Sequence, residues 1–246
     1  LLFFVSMIIY GIMRCMPASF VETKAMELSQ KPGAKSYDEW LQQLNAAYGL
    51  DDSVIQGYFV WASKAIRGQF GDSWLYNQPV LQKFASVIWY SFALGLASFI
   101  LEIIIAIPAG VAAARKQYSL TDYSITVIAL IGISLPSFFF ATILKWIFAV
   151  KLNWLDLYGI VGRMHQQLSP MGQFLDIAKH MIMPVLTLTI VSIGSLMRYT
   201  RTNMLEVLNA DYIRTARAKG LPEKKVINHH AFRNILIPII TLLGGT

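Results

Sequence analysis

Cysteine and charge are both scarce in this chain. Cys15 is the only cysteine among 246 residues and lies in an apolar run, which excludes an intrachain disulfide, a thiolate metal site and a redox pair. Only 14% of the residues are charged while 55% are hydrophobic, and the mean hydropathy is positive. That balance belongs to a chain whose solvent is largely lipid. A GxxxxGK[ST] loop is missing, so the chain does not bind ATP by itself in the P-loop manner. HExxH and serine-protease elbows are missing too, as are paired aspartates within apolar runs, so nothing supports intramembrane proteolysis. The four histidines, His165, His180, His229 and His230, fit no metal-ligand spacing, and the adjacent His229 and His230 would point in different directions on a helix. The expectation is a chain with no catalytic residues, no metal and no cofactor of its own, and therefore not an enzyme. A net charge of +7 raises nucleic acid as a partner. However, the basic residues cluster beside apolar runs without interleaved aromatics, a pattern that sets membrane topology and attracts anionic headgroups instead.

What the sequence does hold is apolar length. A helix needs about 20 mostly apolar residues to cross the hydrocarbon core, and five segments meet or approach that. They are 1–17, 86–114, 124–150, 177–197 and 235–246. The first starts inside an apolar run without an initiator Met, lacking the basic flank and small-residue cleavage site of a signal peptide. The last stops at Gly244-Gly245-Thr246 after about one and a half turns. Both are read as spans cut short, the chain being truncated at each end. If Leu1 starts on the cytoplasmic side, the inner loops hold Arg115 and Lys116, then Arg198, Arg201, Arg214, Arg217, Lys219, Lys224, Lys225 and Arg233. The short outer loop 151–178 has only Lys151 and Arg163, so the bias is positive-inside.

Residues 18–83 read as a small helical extracytoplasmic cap. Ser36-Tyr37-Asp38-Glu39 is a capping box, after which Trp40, Leu44 and Tyr48 share a face until Gly49 ends the helix. A second amphipathic helix is expected from Ser53 to Arg67, stopped by Gly68. A turn at residues 69–73 follows, and Pro79 suits the first position of the helix entering the second span. No internal repeat or low-complexity run is present. A core of apolar spans then covers 84–246, with a long inner loop at 198–234.

That loop carries the sharpest signal. Asn209 or Asp211 can cap a short helix whose last residues are Ala216, Arg217, Ala218 and Lys219, with Gly220 free to adopt the left-handed conformation that closes it. Pro222 starts a second helix, and Glu223 suits its positive end before the chain runs into Ile235-Leu236-Ile237. Ala210, Ala216 and Ala218 would let a partner backbone approach, and Arg214, Arg217 and Lys219 would meet acidic residues around its cleft. The alternative is an interfacial helix on anionic lipid, but its apolar face is short, with Tyr212 and Ile213 its only large members.

The segment Asp211-Tyr212-Ile213-Arg214-Thr215-Ala216-Arg217-Ala218-Lys219-Gly220-Leu221, with His230-Ala231-Phe232-Arg233-Asn234 and Pro238, resembles the EAA loop of ABC-importer permeases, in the oligopeptide, dipeptide and nickel branch. The similarity extends through residues 48–51, 68–73, 78–80, 107–110, Ala114-Arg115 and 135–138, nearly the whole chain. Arg214-Thr215-Ala216 occupies the EAA slot, so the Glu of the general pattern is absent. Fourteen residues, rather than nine, separate Gly220 from Ile235, a spacing similar to the peptide branch. The resemblance implies an all-α, multi-span permease of the type I ABC importer kind in a prokaryotic inner membrane. Asp211 to Gly220 would be the coupling helix that fits a groove on a cytoplasmic ABC ATPase, with ATP and Mg used by that partner. It also implies a second homologous permease subunit, an extracytoplasmic peptide-binding protein docking on the cap and the 151–178 loop, and a further span beyond Thr246. Peptide is the cargo implied, with nickel or another small solute as the alternative within the family.

Glu102 is the costliest residue in its span, about 20 Å along the helix from both Val87 and Arg115, and too deep to snorkel. It faces either the translocation path or a polar interhelical contact. Pro108, Pro136 and Pro184 interrupt spans as static kinks or as hinges. Trp89, Tyr90, Trp146 and Trp154 suit an interface belt. From other classes, a secondary transporter would show paired intramembrane charges and repeat symmetry, neither of which is visible, and a scaffold would use the loop only to recruit.

Overall fold

A computed structural model describes residues 1–15, 20–48, 50–73 and 75–245. The Gly49 stop and the cap boundary at 16–19 lie outside the described residues, as does the Tyr48 side chain. The chain divides into two compact units, 1–88 and 89–246.

In the first unit, α1 (Leu2–Arg14) is followed by α2 (Phe20–Ser29), α3 (Tyr37–Tyr48) and α4 (Val54–Ile66). The capping box forms at α3: the Ser36 amide donates to Glu39 Oε2 at 3.0 Å and the Glu39 amide to Ser36 Oγ at 3.3 Å. Ser53 caps α4 through the Gln56 amide, and Gly68 ends the region at φ +77°. α1 is an apolar helix of 13 residues within the unit 1–88. Tyr58, 2% exposed, stacks edge-on against Phe3 and Tyr10, and Arg14 donates to the carbonyls of Leu50 and Asp52. The expected turn at 69–73 opens a minimal antiparallel pair, β1 (Asp72–Ser73) with β2 (Gln78–Pro79). Pro79 therefore sits in β2, and the helix begins one residue later than its fit to a first helical position suggested.

The membrane-scale helices follow. α5 (Val80–Arg115) and α8 (Pro170–Leu208) are each long and apolar enough to cross, as is the helical stretch Glu223–Gly244. At 1.5 Å per residue the 39 residues of α8 reach about 58 Å, roughly twice the hydrocarbon thickness, so part of it must project beyond a bilayer. Pro108 and Pro184 lie inside continuous helices. Pro136 acts differently. The expected span 124–150 is instead α6 (Leu120–Ser134) and α7 (Ser137–Leu144) with a π-helical turn to Lys151, bent by 105°. Leu135 is extended at φ −81°, ψ 128°, the region forced on a residue preceding proline, and Pro136 continues extended before α7 starts. The chain turns a corner where a kink was expected.

Small residues let these helices touch. A Cβ on Gly132 of α6 would lie 2.6 Å from the Ile190 carbonyl oxygen, and one on Gly194 of α8 would overlap the Ala129 carbonyl outright. Gly110 of α5 meets Met197 and Thr200 of α8 in the same way. Lipid gives no hydrophobic drive between helices, so backbone approach of this kind supplies the dispersion contact that holds them. Asp122, 2% exposed at the start of α6, adds a fork-to-fork ion pair with Arg201 of α8, at 2.6 and 2.8 Å.

Candidate functional site

The conspicuous loop is a compact unit built on the end of α8. α9 (Asp211–Ala218) follows Asn209 and Ala210, then the chain turns at Gly220 into one helical stretch made of α10 (Glu223–Lys225), a π-helical turn (Val226–Ala231) and α11 (Phe232–Gly244). The expected caps are not used. Ala210 is the N-cap residue, Asp211 is the first helical residue, and the Asn209 side-chain NH2 donates back to the Leu205 carbonyl. Gly220 has φ +75°, where a side chain would be strained, and its amide closes the turn onto the Arg217 carbonyl at 2.9 Å. Pro222 is the extended residue just before α10. The link to α11 is therefore the helix itself, Glu223 through Gly244.

Eight residues are too few to hold a helix in water, so α9 depends on packing. Ile213, 0% exposed, and Ala216 sit in one apolar cluster with Met204 of α8, Val226, Ala231 and Ile235. That cluster continues to Ala106 and Ala114 of α5 and Ala129 of α6. α9 and the membrane helices thus share one apolar core. Ala216 faces this core, correcting its expected role against a partner backbone.

The outward face carries Asp211, Tyr212, Arg214, Thr215, Arg217, Ala218 and Lys219, all exposed. Its charges differ in freedom. Arg217 forks onto Glu223 across the turn at 2.8 and 3.1 Å, which raises its already high pKa further and ties α9 to α10. Arg214, 71% exposed at its side chain, reaches Asp211 only at 3.5 Å. Arg214 and Lys219 are the cations that project from the surface.

Glu102 lies within α5, half-buried, while Ser192 of α8 donates to the carbonyls of Leu188 and Thr189 in its own helix. Among the described residues no group of three His, Cys, Asp or Glu could hold a metal ion. Among the ion pairs that the sequence reading did not draw are Asp122–Arg201 and Arg217–Glu223. The first had a signal: Ser119 and Asp122 are spaced as a capping box, and the Asp122 amide does bond Ser119 Oγ at 3.4 Å. Its partner, 79 positions away, had none.

A bent span, tightly apposed long helices and a short exposed helix wedged into their common core define a multi-span helical membrane protein. Residues 106–246 match the family described as binding-protein-dependent transport system inner membrane component, and the chain belongs to that family. It is similar to the oligopeptide transport system permease protein AppB of Bacillus subtilis, 38% identical over 232 residues covering 92% of this chain and 71% of that one. The OppB permeases of Escherichia coli and Salmonella typhimurium are 37% and 36% identical over 207 residues, covering 84% of this chain and 63% of each relative. The family is a transport component, not itself an ATPase.

Proposed function

We propose that this chain is the transmembrane subunit of an ATP-driven importer of peptides. It forms part of the translocation path and couples to a separate cytoplasmic ATPase through Asp211 to Gly220. The observation that carries the reading is α9 itself, a helix too short to stand alone, anchored by Ile213 in a core shared with α5, α6 and α8. Such an element passes force from an external partner to the membrane helices. ATP and Mg belong to that partner, and the loop faces the cytoplasm, as the positive-inside bias supports. A second permease subunit covers the exposed apolar flank of α5, where Leu96, Phe99, Ile100 and Ile104 lack partners in this chain's core. An extracytoplasmic peptide-binding protein delivers cargo to the outer side. Glu102, a half-buried carboxylate within a membrane-scale helix, works as an interhelical polar contact. Peptide is favoured over nickel because the similar permeases named above are oligopeptide permeases.

The test is uptake into proteoliposomes carrying this chain, its second permease and the ATPase. Radiolabelled peptide should accumulate only with ATP inside the ATPase compartment and with the binding protein on the opposite side. Ion-driven uptake without ATP would overturn the reading.

A further inference from the structure

The 105° corner between α6 and α7 opens a cavity of about 530 Å³ that the coupling machinery does not use. One wall is the N-terminus of α7 at Ser137 and Phe138, and no side chain caps that end. Lys145 also lines the cavity, at the point where α7 passes into its π-helical turn. The Tyr158 ring lies 4.8 Å from its ammonium and steadies it without consuming its N–H donors.

The facing wall has the opposite hydrogen-bonding character. The His180 side chain is 3% exposed, and its Nε2 has no hydrogen-bond partner. Nδ1 lies 2.8 Å from the Asp176 carbonyl oxygen, which can only accept, so Nδ1 carries a proton. Asp156 Oδ2 stands 3.4 Å from that Nε2 without hydrogen-bond geometry, and Lys179 holds the same carboxylate from outside at 3.3 Å. The Asp156 carboxylate and the unpartnered ring nitrogen leave hydrogen-bonding capacity on this wall for a ligand.

We infer that this cavity is a subsite for the carboxyl end of a peptide. The terminal carboxylate is received by Lys145, and the last main-chain N–H by the Asp156 carboxylate beside His180. The assignment rests on the proposed peptide reading and adds to it a polarity, carboxyl end toward α7.

The experiment compares a tripeptide with its C-terminal amide in the reconstituted importer, binding protein saturated with each, reading transport per ATP hydrolysed. Because the binding protein is common to every variant, a change in acid-over-amide preference reports on the permease. Wild type should prefer the acid, Lys145→Met should lose about tenfold of that preference, as a charge-assisted bond is removed, and Lys145→Arg should retain it. Assembly with the partner subunits qualifies each variant, with Lys145→Gln replacing the Met variant should that one fail to assemble. Equal transport of acid and amide by wild type, or an unchanged preference in the Lys145→Met or Lys145→Gln protein, overturns the subsite while leaving the peptide importer intact. A wild type that transports neither peptide but does move another solute overturns the peptide reading itself.

Discussion

Ile213→Ala should loosen the coupling helix without touching its exposed face. Ile213 is fully buried among Met204, Val226 and Ile235, and truncation of a buried Ile to Ala costs about 2–5 kcal/mol, part transfer and part cavity. The other large tie is the Arg217–Glu223 pair, whose side chains are 42% and 53% exposed; pairs of that kind contribute about 1 kcal/mol or less. Packing therefore outweighs the ion pair, and a loss of about 3 kcal/mol raises the open population of α9 roughly a hundredfold. Amide hydrogen exchange on the protein in lipid nanodiscs reads this directly. Protection across residues 213–218 should fall by about that factor in Ile213→Ala, and by fivefold or less in Arg217→Met. Unchanged protection in the first variant, or a larger effect in the second, would refute the argument that α9 is held by its apolar anchor.

Three further outcomes follow from the same geometry. Gly220→Val forces a β-branched residue to φ +75° at a strain cost of about 1–3 kcal/mol; ATP hydrolysis should continue while uptake per ATP falls, and unaltered coupling would count against the turn. Gly194→Ala should lower the melting temperature through overpacking worth about 1–3 kcal/mol against the Ala129 carbonyl, whereas Gly95→Ala, where a Cβ meets nothing, should not; equal effects would show that helix propensity alone decides. Asp122→Asn leaves Arg201, 27% exposed, without its forked acceptor and should cost about 2–3 kcal/mol, less than a fully buried pair. The double variant with Arg201→Gln should cost less than the sum in thermal denaturation, and strict additivity would deny the coupling.

Much of this was legible in the sequence because single residues decided it. The Ser36/Glu39 box, Gly68 and Gly220 act within a few residues of themselves, and each does in the structure what local chemistry requires. Pro136 was visible as a break, but composition does not distinguish a kink from a corner; the extended Leu135 and Pro136 together turn the chain. α9 showed its ends, while its inward face did not show, because Ile213 and Ala216 are buried by residues from distant helices. Arg217 read as free charge for the same reason that Arg201 read as a topology signal: its carboxylate partner is fixed only by folding. The cavity beneath α7 left no sequence trace beyond an isolated Lys145, since His180 and Asp156 reach it through the fold.

Cysteine cross-linking between α9 and the ATPase tests the central claim most directly. A thiol placed at Thr215, on the exposed face, should form a disulfide with the ATPase groove, and the bond should arrest peptide uptake until reduced. No cross-link from Thr215 while a thiol at Thr241, on α11, links efficiently would contradict α9 as the coupling element.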